Sequence, residues 1–293
     1  MRPAPGFHSL ACLVEPPAQR RPELLVVGHV CRDLMGGRVA LGGPAAFAAQ
    51  AAACMGIRTA VVTMAPASFE LMAPLREHNK IWLRAHPCAG ETIFALDYSG
   101  PQRQITLMQR APTLLPVHIP ARWRSLPLAY VAPAIGECGA DVLASLGALR
   151  VMVGAQGWLR ATGRRGLLCP AVAPEMLDPP SNITAMVFSE LDHPEAEALA
   201  QHVARRGVTV ALTRGRDGAT LLTHGAALHV PALPSTEVDP TGAGDVFGVV
   251  LALALHRGWS LLHAAERAAG AAARVVEGPG LGNLAADAAM VLA

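Results

Sequence analysis

Five consecutive residues, Thr241-Gly242-Ala243-Gly244-Asp245, set two glycines and an alanine between a hydroxyl and a carboxylate. An apolar run, "VFGVVLALAL", follows directly. A helix starting there has free N–H groups and the positive end of a macrodipole at its mouth. Small side chains let an anion come close to that backbone. The stretch therefore predicts a site for a phosphate, or for charge developing on one. Asp245 points an acid into the same space. An acid beside an anion hole is useful when it takes the proton of a hydroxyl that attacks a phosphoryl group. The plainer reading is a helix cap, since aspartate favours N-terminal positions.

Other stretches have the same character. "TRGRDG" (213–218) has Thr and two glycines at T-x-G-x-x-G after an apolar strand pattern. "GHVCRD" (28–33) and "GGPAAF" (42–47) stand at a strand end and a helix start. No G-x-x-x-x-G-K-[ST] motif is present, and no G-x-G-x-x-G follows the first strand. These absences argue against an ordinary P-loop protein and an ordinary dinucleotide binder.

The elements that must position these residues read as strands alternating with helices. Strands are predicted at 23–30, 59–65, 128–134, 150–156, 184–190 and 208–215. Helices are predicted at 44–56, 193–207, 245–258 and 260–278, with Pro44 in the first turn of one and Gly56 and Gly207 closing two. Hairpins are predicted at 36–43, 92–109 and 219–233, the second turning at Ser99-Gly100-Pro101. The pattern predicts an α/β fold with a mostly parallel central sheet flanked by helices. The 92–109 hairpin is two-faced and is expected to leave the main sheet as part of a small β lid. Residues 1–22, with five prolines and three arginines, read as a flexible arm ahead of one domain at 23–293.

Composition narrows the function. The chain has 293 residues, of which 52% are hydrophobic and 16% charged, with a formal net charge of +2. That supplies a large core and no basic face, so a nucleic-acid partner is not expected. No apolar run reaches the roughly 18 residues of a membrane span. The six cysteines, at 12, 31, 54, 88, 138 and 169, form no C-x-x-C pair. They read as reduced, mostly buried thiols in a cytoplasmic protein.

The order and spacing of these motifs resemble the ribokinase family of carbohydrate kinases, also called the PfkB family. The block "DPTGAGD" (239–245) and the Gly42-Gly43 pair carry that resemblance, which runs from about residue 23 to 285. It implies a ribokinase-like fold and phosphoryl transfer from ATP and Mg2+ to a hydroxyl of a sugar or polyol. It implies Asp245 as the catalytic base, with the N–H groups of Gly242, Ala243 and Gly244 as the anion hole. Asp33, Gly42 and Gly43 fall at acceptor-binding positions. Thr213, Gly215 and Gly218 fall at nucleotide-binding positions. Gly280, in the "EGPG" turn, falls where the family closes over adenine. Asp239 and Thr241 match a loop where many members hold a monovalent cation.

This chain departs from the family pattern at two points. Phe47 stands where the family usually has asparagine, so it either stacks on a substrate ring or belongs to the core. The family's N-x-x-E motif appears as Ser189-x-x-Asp192, which makes Asp192 the candidate for holding Mg2+ through water, with Glu190 and Glu195 as rivals. Only nine positions separate Asp33 from Gly42, so a small lid is expected, from about 34–41 and 92–109, and with it a monomer or weak dimer. "GAQGWLR" (154–160) and "VVGHVCRD" resemble the myo-inositol-kinase-like branch. That favours a cyclic polyol, with Gln156 either reaching a substrate hydroxyl or capping a strand. Arg160 and His29 read as packing residues. Two other functions fit the same fold: a nucleoside kinase, in which Phe47 stacks on the base, and a non-catalytic sugar-binding regulator.

Overall fold

The computed structural model describes residues 21–97, 104–223 and 225–279. Its strands are β1 (Leu24–Val27), β2 (Cys31–Met35), β3 (Arg38–Gly42), β4 (Thr59–Met64), β5 (Ile81–His86), β6 (Thr92–Asp97), β7 (Gln104–Gln109), β8 (Leu128–Val131), β9 (Arg150–Gly154), β10 (Arg160–Thr162), β11 (Leu168–Pro170), β12 (Ile183–Ser189), β13 (Thr209–Thr213), β14 (Ala219–Thr223) and β15 (Ala226–Val230). Four long helices accompany them: α1 (Pro44–Cys54), α6 (Ala196–Arg205), α7 (Ala243–His256) and α8 (Leu261–Val275). Between α1 and α6 lie four short ones, α2 (Ala73–Glu77), α3 (Ala121–Arg124), α4 (Ala140–Ala144) and α5 (Pro174–Leu177).

The large sheet runs β15-β14-β13-β12-β9-β8-β1-β4-β5. From β13 to β5 every pairing is parallel, and only β14 and β15 are antiparallel. A parallel sheet covered on both faces needs strands that are apolar throughout. In β1 all four residues are fully buried, with Leu24 and Val26 packing into one core and Leu25 and Val27 into the other. The first core joins α1, α2, α7 and α8, and the second joins α6 with α3, α4 and α5. Val246 to Ala254 of α7 are buried without interruption, so this helix lies inside the first core.

The second sheet has the order β3-β2-β6-β7. The segment read from sequence as an arm starting at residue 36 begins earlier, at Cys31, because Cys31 and Asp33 alternate inward and pair with both β3 and β6. Gly36 and Gly37, at φ +52° and +83°, make the two-residue turn between β2 and β3. The 92–109 hairpin contributes β6 and β7. Its Ser99-Gly100-Pro101 turn lies outside the described residues, as do residues 1–20 of the arm read at 1–22. Strand β5 and the β10–β11 hairpin carry no clear period in the sequence. The segment before β11 touches the small sheet through a bridge between Leu167 and Thr106. Among the described cysteines, Cys31 and Cys138 are buried, Cys54 and Cys88 half-buried and Cys169 exposed, and all are free thiols. No helix among the described residues is long and apolar enough to cross a membrane.

Glu137 fastens the turn that carries β2. Its fully buried carboxylate accepts the amide N–H of His29 at 2.8 Å, of Ala134 at 2.8 and 2.9 Å, and of Ile135 at 2.8 Å. His29 is also buried, its Nδ1 bonded to Thr92 Oγ1 at 2.8 Å and its Nε2 to the Pro112 carbonyl at 2.9 Å. Burial pushes the Glu137 carboxyl up, but His29 and the amide donors outweigh it and hold the group below the usual glutamate range. A carboxyl lowered on folding stabilises above its unfolded value and loses that contribution as pH falls through the folded value. Glu137→Gln is therefore expected to unfold more easily at pH 7, by about 1–3 kcal/mol. The gap to wild type should narrow below about pH 4. Denaturant melts of both proteins from pH 7 to pH 3 check this, and a constant gap would contradict it.

Candidate active site

The C-terminal ends of the parallel strands open into one cleft of about 780 Å³, roofed by the small sheet and floored by the start of α7. Ligands of open α/β sheets bind at that end of the strands. Gly242 caps α7 in the left-handed region, φ +84° and ψ −6°, and its carbonyl accepts the Val246 N–H at 2.9 Å. Thr241 N–H is held by Asp239 Oδ1 at 2.9 Å, and Ala243 N–H turns back to the Pro240 carbonyl at 3.2 Å. Of the three amides expected to form an anion hole, Ala243 is thus engaged in the turn. Gly242, Ala243, Gly244 and Asp245 all line the cleft. Asp239 does not line it. Its N–H and that of Val238 donate to the Val276 carbonyl, which ties the loop to the end of α8.

Asp33, on β2, enters the cleft from the roof and is only 6% exposed. Its carboxylate lies against Gly42, where any Cβ would overlap it. Gly43, at φ +91°, brings α1 against the turn at His29 and Cys31. Phe47 is 8% exposed. Its ring touches the cleft but packs beneath Gly242, where a Cβ would overlap ring carbon Cδ1. The phenyl group therefore supports the α7 turn while forming part of the cleft wall.

Arg160, read from sequence as a packing residue, also lines the cleft. Its Nε and Nη2 donate to the Ala134 carbonyl at 2.8 and 2.6 Å, and its guanidinium lies over the Phe94 ring, 5.2 Å from the centroid. Sequence reasoning missed this because the residue opens a three-residue strand with no period of its own. The local charge balance shows in Cys31. Burial pushes that thiol well up, Asp33, Glu137 and Asp245 add to the effect, and Arg160 opposes it.

The other half of the cleft lies at the ends of β12 and β13. Thr213, Gly215 and Gly218 line it. Gly218, at φ +86°, packs so tightly on Val230 and Pro231 that a Cβ has no room. Asp192 faces the cleft, its Oδ2 accepting Ser189 N–H at 2.7 Å and its Oδ1 accepting from Gln156 Nε2 at 3.0 Å. Gln156 therefore orients the acid expected near a metal. The rivals are occupied elsewhere. Glu190 and Glu197 both bind Arg214, and Glu195 sits at the exposed start of α6. Gly280 lies outside the described residues.

Comparison with known proteins bears on the fold and the family. The family model described as pfkB family carbohydrate kinase matches residues 181–288, the segment that carries β12, β13 and the start of α7. The chain is 32% identical over 262 residues to an inositol 3-kinase of Oryza sativa subsp. japonica, covering 83% of this chain and 65% of that protein. An inositol 3-kinase of Zea mays is 30% identical over 267 residues, 83% of this chain and 69% of that one. The chain thus spans about two thirds of the length of these relatives. Among solved structures, a pyrophosphate-dependent kinase in the ribokinase family, complexed with a pyrophosphate analog and myo-inositol, superposes with a TM-score of 0.77 at 16% identity, over 90% of this chain and 99% of that one. Arabidopsis thaliana ribokinase, complexed with ribose and ATP, gives 0.72 at 20% identity, over 92% and 98%. The fold is ribokinase-like, and with the maize relative matched over more than two thirds of its length, the chain belongs to the PfkB family of carbohydrate kinases.

Proposed function

We propose that the protein transfers the terminal phosphoryl group of ATP to a hydroxyl of a neutral cyclitol, with myo-inositol the favoured acceptor and Asp245 the general base. The observation that carries this reading is the meeting of Asp33, Asp245 and the Gly242 turn in one cleft. In the reaction, the acceptor hydroxyl gives its proton to the Asp245 carboxylate as its oxygen bonds to the phosphorus. The bond from that phosphorus to the bridging oxygen of ADP breaks, and the electron pair leaves with ADP. The start of α7 stabilises charge on the transferring group.

The donor half supports a nucleotide. Ala269, Ala272 and Ala273 of α8, Val276 just after it, and Ala232 and Leu233 give this part of the cleft an apolar lining, which suits a flat heteroaromatic ring. Pyrophosphate has no use for such a lining. The arginines beside it are paired, Arg214 with Glu190 and Glu197, and Arg216 with Glu237 at 3.6 Å. Among the described residues no group of three or more His, Cys, Asp or Glu side chains is arranged to hold a metal ion. This fits Mg2+, which keeps several waters and binds through phosphates and one or two carboxylates. Asp192 would hold it through water, and the ion would neutralise charge on the donor's phosphates. Asp239 and Thr241 are the residues to examine for monovalent-cation dependence.

In the acceptor half, Arg160 presents a fork whose plane is set by Phe94 and the Ala134 carbonyl. Two carboxylates, Asp33 and Asp245, line the same cleft, a balance that disfavours an acceptor already carrying a phosphate. Arg160→Lys keeps the charge and loses the fork. It is expected to raise the KM for the acceptor at least tenfold while leaving the KM for ATP within twofold. A shift confined to the ATP KM would place Arg160 on the donor side instead.

An ADP-release assay tests the whole reading. Its panel holds myo-inositol, other cyclitols, ribose, hexoses, hexose phosphates and nucleosides, each with ATP and with pyrophosphate as donor. Turnover of a cyclitol with ATP supports the proposal. Turnover only with pyrophosphate, or only on nucleosides or sugar phosphates, overturns the corresponding part of it.

A further inference from the structure

Tyr130 is a part of the cleft that no motif predicts. It lies on β8, is fully buried, and reaches the cleft floor with its phenol end. Among the described residues the hydroxyl oxygen has no hydrogen-bond partner. Two glycines make its niche. A Cβ on Gly154 would come within 2.8 Å of the hydroxyl, and one on Gly248 would overlap it. Gly248 lies three residues after Asp245, on the same face of α7, so the phenol abuts the helix face that carries the acid. Burial pushes the Tyr130 phenol well above its ordinary value, and the Asp245 carboxylate pushes it further. The group is therefore a neutral donor throughout the working pH range.

A buried hydroxyl without a partner destabilises a fold, and phenylalanine fills the same volume without that cost. The hydroxyl is thus explained by a state in which it has an acceptor. The nearby acceptor that changes its surroundings during the reaction is Asp245. We infer that Tyr130 is a positioning residue whose phenol donates a hydrogen bond to the Asp245 carboxylate when acceptor and donor fill the cleft. This orients the base toward the attacking hydroxyl and stabilises its ionised form. The inference rests on Asp245 being the base. The other ionisable groups around the acid are Asp33 and Cys31 from β2 and Arg160 at the start of β10, and Tyr130 is the one contributed by β8.

Tyr130→Phe in the full chain tests this, with the acceptor that the panel identifies. Its melting temperature is expected to match wild type or rise by about 2–4 °C, in keeping with relief of an unpartnered group. Its kcat is expected to fall between threefold and thirtyfold, with the KM for acceptor within twofold. The acid limb of its kcat profile should move to higher pH, because a carboxylate that loses a donor is protonated more easily. The double variant Tyr130→Phe/Asp245→Asn should be no slower than Asp245→Asn alone. An unchanged kcat and pH profile in Tyr130→Phe would overturn the inference and leave Tyr130 as core. So would a double variant slowed by the full product of the two single effects. A failure of the base assignment shows separately, as turnover retained by Asp245→Asn.

Discussion

Asp245→Asn is expected to lower kcat by a factor of about 10²–10⁴ while leaving the melting temperature and ATP binding close to wild type. The side chain is half-buried in the first turn of α7, lines the cleft and belongs to neither hydrophobic core. Asparagine has the same shape, caps helices as well as aspartate does, and adds no strain. What it lacks is an oxygen that can take a proton. The effect should fall on kcat with little change in the KM for acceptor, because proton transfer is needed only in the transition state. Steady-state kinetics with a thermal melt as the folding control decides it. Retention of more than a few per cent of wild-type turnover in a clean preparation would remove Asp245 from its role.

Gly242→Ala is expected to reduce both stability and turnover, and for a separable reason. The residue sits at φ +84° and ψ −6°, a conformation that costs an L-residue about 1–2 kcal/mol. Its new Cβ would also overlap the Phe47 ring. The melting temperature should drop by several degrees. The kcat should fall at least tenfold, because relieving the overlap moves the amides ahead of Asp245. Adding Phe47→Leu removes ring atoms but leaves the backbone strain. The pair should therefore recover part of the lost stability. Full recovery would assign the whole effect to the ring, and wild-type behaviour of Gly242→Ala would show that the turn tolerates movement. The same contact ties the Phe47 ring to the turn before Asp245, while the residue also lines the cleft.

Local signals in the sequence located most of the fold. Buried strands such as Leu24–Val27 and Thr59–Met64 read as unbroken apolar runs because both faces of a parallel strand are covered. Helices α6 and α8 show alternating apolar and charged faces, so their period is visible. Strand β2 was hidden because its inward residues are a thiol and a carboxylate, which do not look like a core stripe. Strand β5 is the edge of the large sheet and β10–β11 is a two-stranded sheet of its own, and in both partial exposure blurs the alternation.

By itself the chain determined the chemistry on offer: a small-residue turn at a helix mouth, an acid directly after it, and glycine turns after two strands. These are short-range patterns, set by backbone conformation and dipoles within a few residues. Tertiary structure decided which groups meet. It placed Gln156 on Asp192 across 36 positions, laid Arg160 over Phe94, and drove Phe47 beneath Gly242. It also buried the Tyr130 hydroxyl between two glycines that are 94 residues apart (248 − 154 = 94). Such pairings arise only when separate strands and helices close on a common cavity, and no local period encodes them.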